Sequence, residues 1–471
     1  MKLTKSDILA LPHVKAFGFD GVKSLVVTGI SIDTRTIEAG ELFLAVRGEQ
    51  FDGHNFLSKA IEAGAACLIV ERRWADVNAS MMVSINVPRL IVESTIHTLG
   101  ALAHIYRRKF DIPVIAIGGS NGKTTTKEMI RGILETKYKV LSTEGNLNNH
   151  IGVPQTLFRL EKKHEVAVIE IGTNHPGEID YLCSILEPTH GLITNIGCEH
   201  LEFFGSLDGV AQSEGELFTW LADHRGTVFV NTDDTHLTRA SRNNKKAVRY
   251  GFKASNIFVK GKILSFDSQA RAQLQIRQKD RKPFEVNIGA AGEHNATNAL
   301  AAATVGLKLK VPVADIQASL RSFQSASKRM QVQQLGQITV MNDTYNANPD
   351  STLAALATLH AMEVTGKKIA ILGDMLELGA HAEELHRNIG ANIARYGVDI
   401  LLTTGSLAKA IHDAASVETK AHFDTKAALG NYLEHILTDG DLLLVKGSRG
   451  MKMEEVIASL ADRLSTQRGT V

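Results

Sequence analysis

Pro113-Val114-Ile115-Ala116-Ile117-Gly118-Gly119-Ser120-Asn121-Gly122-Lys123-Thr124-Thr125 decides the fold of the chain's centre. An apolar run of strand length breaks at glycines, and a helix-forming stretch follows. Strand, glycine loop and helix together make the setting in which backbone N–H groups at a helix N-terminus hold phosphate oxygens. Gly119, Ser120, Asn121, Gly122, Lys123, Thr124 and Thr125 are therefore the candidate nucleotide-binding residues. Lys123 is placed to neutralise the β- and γ-phosphates, and the Thr124 hydroxyl to reach Mg²⁺. The general phosphate-loop template asks for glycine where Ile117 stands, so the loop is a shorter Gly-x-x-Gly-Lys-Thr variant. A glycine-rich turn with a solvated lysine is the plainer alternative; the flanking strand and helix weigh against it.

Working outward, short strands and helices alternate on both sides. Leu25 to Ile32 and Glu41 to Arg47 read as strands, Phe56 to Ala65 as a helix, and Pro88 as a seam. Ser94 to Phe110 has helical periodicity. Val166 to Ile171, Gly191 to Ile196 and Thr227 to Asn231 read as buried strands with helices between them, the pattern of a mostly parallel sheet covered on both faces. Residues 257–288 switch to a period of two, with Ala272, Leu274 and Ile276 between Arg271, Gln273, Gln275 and Arg277, which predicts an antiparallel insert. An Ala-rich helix follows from about Asn295 to Leu309. After Arg329 the alternation restarts with strands at Gln337 to Met341, Lys368 to Leu372, Ile400 to Thr403 and Leu442 to Val445. That is the pattern of a separate dinucleotide-fold-like domain. The fold class is thus α/β in three domains: 1–89, a central mostly parallel ATPase sheet over 90–327, and 328–471.

The length, 471 residues, agrees with about three domains. A net charge of +1, from 52 basic and 51 acidic residues, argues against a general nucleic-acid binder. The three cysteines, Cys67, Cys183 and Cys198, form no CxxC, so neither a disulfide frame nor a zinc site is suggested. Neither a signal peptide nor a membrane-length apolar run is visible. The expectation is a cytoplasmic monomer with no nucleic-acid or membrane partner.

Other polar clusters sit at strand ends. Glu170 closes Val168-Ile169-Glu170, well placed for Mg²⁺ beside the loop, and His200 follows Asn195-Ile196-Gly197-Cys198-Glu199. Singly, a capping carboxylate and a hydrogen-bonded turn histidine are equally good readings. Tyr345, Asn346 and Asn348 fall in a loop after a strand, where neutral hydrogen bonds suit peptide amides, although Asn-Pro also favours turns. Lys446 and Arg449 follow the last strand and can clamp a carboxylate or form a solvated basic turn. Arg35 and Arg47 can face a pyrophosphate or simply lie at the surface.

Taken in order, Gly119 to Thr125, Glu170, His200, Asn295, Asn298, Arg329 and Asp343 resemble the signature of the Mur ligase family, which builds the peptide of bacterial cell-wall precursors. The resemblance spans nearly the whole chain. It implies ATP and Mg²⁺, with Thr124, Glu170 and His200 serving the metal. Asn295 and Asn298 would line the nucleotide site, and Arg329 and Asp343 would bridge ATP between the central and C-terminal domains. Lys123, His200 and Arg329 are the implied catalytic residues. Further stretches resemble the branch that adds D-alanyl-D-alanine to a UDP-N-acetylmuramoyl-tripeptide. They are Asn146 to Pro154 with Asn148 and Asn149, Gly172 to Ile179, Asn342 to Pro349, Gly373 to Gly379 and Lys446 to Arg449. Asp33, Thr34 and Arg35, and Gly48 to Phe56 with Asp52, Gly53 and His54, resemble its uridine-nucleotide domain.

What the resemblance implies is phosphorylation of the tripeptide carboxylate, attack by the dipeptide amine on the acyl phosphate, and domain closure around the substrates. Three alternatives remain. A sister ligase would add a single amino acid, but the Asp-Asn-Pro-Arg motif of the diamino-acid branch is absent. A folate-polyglutamate ligase would lack the Asp52 to Phe56 stretch. A nucleotide-binding regulatory module would not need Glu170, His200, Arg329 and Asp343. One departure stands out. In most of the family a carbamylated lysine, fourteen residues after the metal-site histidine, helps hold a second Mg²⁺; here that place is Glu214. Either its carboxylate replaces the carbamate or Glu214 is a solvated helix residue.

Overall fold

The computed structural model describes residues 1–48 and 51–468. Glu49 and Gln50, inside the Gly48 to Phe56 stretch, lie outside the described residues, as do Gly469, Thr470 and Val471 at the end of the C-terminal segment. The chain forms two compact units. Unit 1 comprises Met1–Ala116, Tyr138–Gly172 and Gly177–His190; unit 2 comprises Ile117–Lys137, Thr173–Pro176 and Gly191–Val471.

Unit 1 is organised by a five-stranded sheet in the order Lys15–Phe17, Arg89–Val92, Cys67–Glu71, Leu42–Leu44, Ile30–Ser31. All pairings are parallel except that of Lys15–Phe17 at the edge. Phe43, Leu68 and Val70 point to the same side and pack on Leu57, Ala60 and Ala75. The expected helix at Phe56 to Ala65 is shorter, a 3-10 turn Gly53–Phe56 running into Leu57–Glu62. Asp52 caps that turn by accepting from the His54 N–H, which explains the early start. Helix Thr95–Arg107 is capped by Ser94, and strands Val140–Ser142 and Val166–Glu170 pair in parallel.

In unit 2 the insert is antiparallel as its period predicts: Val259–Phe266, Arg271–Gln278 and Phe284–Ala291 form a meander. It continues through parallel pairings with Ala247–Gly251 and Thr227–Asn231. The Ala-rich helix Glu293–Lys308 packs closely on helix Lys123–Glu135; at Gly306 a Cβ would lie 2.6 Å from Ile133. Residues 331–446 build a six-stranded sheet in the order Gln331–Leu335, Ile338–Asp343, Leu442–Lys446, Lys368–Gly373, Ile400–Thr404, Thr419–Phe423. Only the first pairing is antiparallel. Along these strands side chains alternate between two cores: Ala370, Leu372 and Leu444 face Leu356 and Ile389, whereas Ile369, Ile371 and Leu443 face Leu433 and Val456. Both faces of the sheet are therefore covered, as a parallel sheet requires. Ligands of such sheets gather beyond the carboxyl ends of the strands, and here Asp343 and Lys446 are register partners at that edge.

Candidate active site

The loop after strand Val114–Gly118 is held by its own side chains. Gly119 has φ +110° and Gly122 φ +81°, both in the region that favours glycine, and neither has room for a Cβ: Thr194 blocks the first, and Asn298 Oδ1 would lie 2.8 Å from the second. Asn195 clasps Asn121 from both sides, accepting from its N–H at 3.1 Å and donating to its carbonyl at 2.8 Å. The Ser120 hydroxyl accepts from Gly197 N–H at 2.8 Å. Thr124 and Thr125 are buried in the first turn of the following helix. Asn298 donates to Asn295 Oδ1 at 3.1 Å and Asn295 to the Ala291 carbonyl at 2.7 Å, so the two buried amides stand together beside Gly122.

Beneath the loop lies a charged cluster. Glu214 Oε2 accepts from Gly119 N–H at 2.6 Å, and the residue is only 1% exposed. Burial pushes its carboxyl up to about 7 and neighbouring Glu199 adds to the shift, while Lys123, the Gly119 N–H and His200 oppose it. Lys123 Nζ donates to the Gly119 carbonyl and lies 3.4 Å from Glu199 Oε2. The second oxygens of Glu199 and Glu214 are buried and make no hydrogen bond among the described residues. Two carboxyl oxygens without donors are the kind of ligand a hard cation prefers. No group of three or more His, Cys, Asp or Glu is drawn tightly enough to enclose a metal among the described residues. His200, at φ +46°, brings Nδ1 to 2.6 Å from Glu377 Oε2, an ion-pair distance without hydrogen-bond alignment. That pair holds the Glu377 carboxyl below its usual range.

The segment after residue 328 reaches the same loop. Asn348 donates to Asn121 Oδ1 at 2.9 Å, and Asp350 accepts from Cys198 N–H at 2.7 Å. Arg329 stacks 3.6 Å above the Tyr345 ring and is flanked by Lys328 and Met330, both at positive φ. Asp343 accepts from Met330 N–H at 2.9 Å and pairs with buried Lys446 at 2.6 Å; Lys446 also donates to the Asn346 carbonyl at 2.9 Å. Arg449 is exposed and paired with Glu454. Lys446 therefore braces the Asp343 to Asn346 loop from inside, while Tyr345 and Asn346 keep accessible surface.

The remaining candidates lie in unit 1. Glu170 ends its strand buried, accepting from Asn148 Nδ2 at 2.9 Å. Asn149 accepts from Ile151 and Gly152 N–H, a turn function. Asp33 and Arg35 bind each other at the surface, which lowers the Asp33 carboxyl to about 2, with Thr34 half-buried between them. His54 is buried with both ring nitrogens engaged, one by Asp52 and one by Glu71 N–H, and it stacks on Trp74. Gly53 lets the chain pass over Val46. Asp52 and His54 thus secure the turn itself. Sequence reasoning passed over Glu199, Glu377, Asn195 and Asp350. Glu199 was legible as an acid next to His200 at a strand end; Glu377 and Asp350 are brought in from more than a hundred residues away.

The chain matches the Mur ligase middle domain over 117–306, the Mur ligase glutamate ligase domain over 328–449 and the Mur ligase family catalytic domain over 26–107. It is 35% identical to the UDP-N-acetylmuramoyl-tripeptide–D-alanyl-D-alanine ligase of Haemophilus influenzae, over 98% of this chain and 99% of that one. To the enzyme of the same name from Escherichia coli it is 35% identical over 93% and 94%. Among solved structures, MurF from Acinetobacter baumannii superposes with a TM-score of 0.88 at 32% identity, covering 98% of this chain and 99% of that one. MurF ligase from Thermotoga maritima in complex with ADP superposes at 0.82 with 26% identity, over 93% and 98%. With a glycine loop set over two buried carboxylates, and with similarity running the length of both chains, this protein belongs to the Mur ligase family.

Proposed function

We propose that the chain joins D-alanyl-D-alanine to the free carboxylate of a UDP-N-acetylmuramoyl-tripeptide at the expense of ATP, a cytoplasmic step of peptidoglycan precursor synthesis. The observation that carries this reading is the Gly119 to Thr125 loop, with Lys123 set among Glu199, Glu214 and His200. In this reading the chain works as three domains, divided near residues 89/90 and 327/328. A carboxylate oxygen of the tripeptide attacks the γ-phosphorus, the bond to the β,γ-bridging oxygen breaks, and ADP departs. The dipeptide nitrogen then attacks the carbonyl carbon of the acyl phosphate. The tetrahedral adduct loses a proton from nitrogen and expels phosphate, leaving the amide. Activation comes first because a carboxylate is a poor electrophile.

Loop amides and Lys123 hold the transferring phosphoryl group where charge accumulates, the most effective place for fixed dipoles and cations. Arg329, stacked on Tyr345, and Asn295 and Asn298 address the nucleotide. Thr124, His200 and Glu214, joined by Glu199, would hold Mg²⁺, with Glu214 standing in for the carbamylated lysine of the family, and Glu170 of unit 1 keeps the metal role that the resemblance implies for it. The burial of Glu214 beside the loop supports its metal role over a solvated one. When bound, Mg²⁺ supplies positive charge to the phosphoryl oxygens. Tyr345, Asn346 and Asn348 address the dipeptide, with Lys446 and Arg449 behind them. Asp33, Thr34, Arg35, Asp52, Gly53, His54, Asn148 and Asn149 belong to the UDP-tripeptide side, several of them by shaping its turns.

The test is phosphate release from ATP with the UDP-linked tripeptide, with and without D-alanyl-D-alanine. Release is expected to depend on the dipeptide, and Lys123→Ala to lower it by about two orders of magnitude or more. Equal stimulation by free D-alanine or a diamino acid would assign the chain to another branch of the family.

A further inference from the structure

Away from the nucleotide loop, the insert of unit 2 bears a concavity of about 380 Å³. Four cations line it, Lys260, Arg277, Lys279 and Arg281, against one acid, Asp280. None of its lining residues belongs to the site described above.

The charge there is out of proportion to the rest of the molecule. The chain carries +1 overall, yet residues 239–282 hold thirteen Lys and Arg and two Asp, a surplus of +11 that leaves −10 for all other residues. Lys260 and Arg277 are direct partners across the antiparallel ladder. Their strand neighbours Val259, Gly261 and Ile276 are buried, so the two cations share the solvent-facing side. Like charges directly opposite each other destabilise a sheet. The other acid of the segment, Asp267, is taken by Arg271 at 2.7 Å. No ion pair neutralises Lys260, Arg277, Lys279 or Arg281 among the described residues; Lys260 Nζ reaches only the Lys253 carbonyl, at 3.5 Å.

The walls are fixed rather than loose. Lys279 N–H donates to the Phe258 carbonyl at 2.8 Å, and Phe258 N–H to the Arg249 carbonyl at 3.0 Å. Asn256 and Asp280, both in the lining, hold the left-handed backbone that turn residues of these types adopt, at φ +58° and +60°.

We propose that this concavity is a second anion site, independent of the nucleotide loop, that takes a soluble polyphosphate: an anion carrying two or more phosphoryl groups. A surplus of three positive charges calls for a multivalent anion. Arginine forks and lysine point charges match phosphoryl oxygens. The volume lies within the range of small-ligand sites, and concave walls of one sign focus the field on such a ligand. With Ile257 the one apolar residue of the lining, recognition falls on the phosphates and not on a base.

Titration calorimetry with tripolyphosphate at low salt, on the full chain, tests the proposal. The Lys123→Ala background removes the loop's own cation and isolates the second site. Adding Lys260→Ala and Arg277→Ala is expected to weaken the remaining binding at least about tenfold. In the absence of ligand the same two changes should hold or raise the melting temperature, because a repulsion is removed. Tripolyphosphate should raise the melting temperature of Lys123→Ala and not of the triple variant. Unchanged affinity in the triple variant, or no binding in Lys123→Ala, would overturn the proposal. So would retention on anionic phospholipid vesicles without tripolyphosphate binding, which would make this face a membrane contact.

Discussion

Glu214 is a carboxyl group held where an isolated charge is expensive, and its acidity follows from that. Its folded value of about 7 lies above the unfolded 4.5. Below 4.5 the group is protonated in both states and contributes no pH dependence. Between 4.5 and 7 the unfolded chain gives up the proton while the folded chain keeps it, so stability falls as pH rises; above 7 the full cost stands, about 3 kcal/mol. In metal-free buffer, Glu214→Gln should therefore raise the melting temperature at pH 8, leave it unchanged below pH 4.5, and abolish ligase turnover. Equal melting temperatures for variant and wild type at pH 8 would refute the assigned strain. The burial of Glu214 had a readable signal. On helix Leu207–Asp223 the buried residues Val210, Glu214, Leu217 and Leu221 follow helical spacing, which puts the acid inside the apolar stripe. The choice between a solvated and a buried glutamate was thus open to periodicity. The contact with Gly119 N–H was not, because it joins positions 95 residues apart.

At the scale of elements, helix Pro349–Ala361 ties local capping to the nucleotide loop through one side chain. Asn348 caps the helix in a reciprocal box with Ser351, and its amide nitrogen also reaches Asn121. Asn348→Ala removes both contacts and should lower stability by about 1 kcal/mol or more and raise the KM for ATP. Asn348→Ser keeps a capping oxygen but cannot reach Asn121, so the melting temperature should recover and the KM should not. Recovery of both would show that the cap alone matters. Elements with strong apolar contrast were legible: Thr227–Asn231 and the antiparallel insert fall where their periods place them. Strands Gln331–Leu335 and Thr419–Phe423 were missed because each is an edge strand of largely polar, part-buried residues with no buried stripe to betray it.

Across the whole molecule, the residues that meet at the loop, from Lys123 to Glu377, all belong to unit 2, and each unit carries one of the two tryptophans, Trp74 in unit 1 and Trp220 in unit 2. Trp220→Phe therefore leaves a single tryptophan that reports on unit 1, and Trp74→Phe a single one that reports on unit 2. ADP at a hundred times its Kd contributes about 2.7 kcal/mol to whatever folds around it. The transition reported by Trp220 should rise by about 5 °C, and that reported by Trp74 by much less. Equal shifts would mean that the two units unfold as one. What sequence could not supply at this scale was the meeting of His200 with Glu377, since nothing local to either residue names the other. The two carboxylates under the loop carry a consequence of a different kind. A cradle for a polyanion that keeps acidic side chains in its floor favours nucleotide that arrives with its counter-ions over bare nucleotide. Its selectivity then rests in part on the company its ligand keeps.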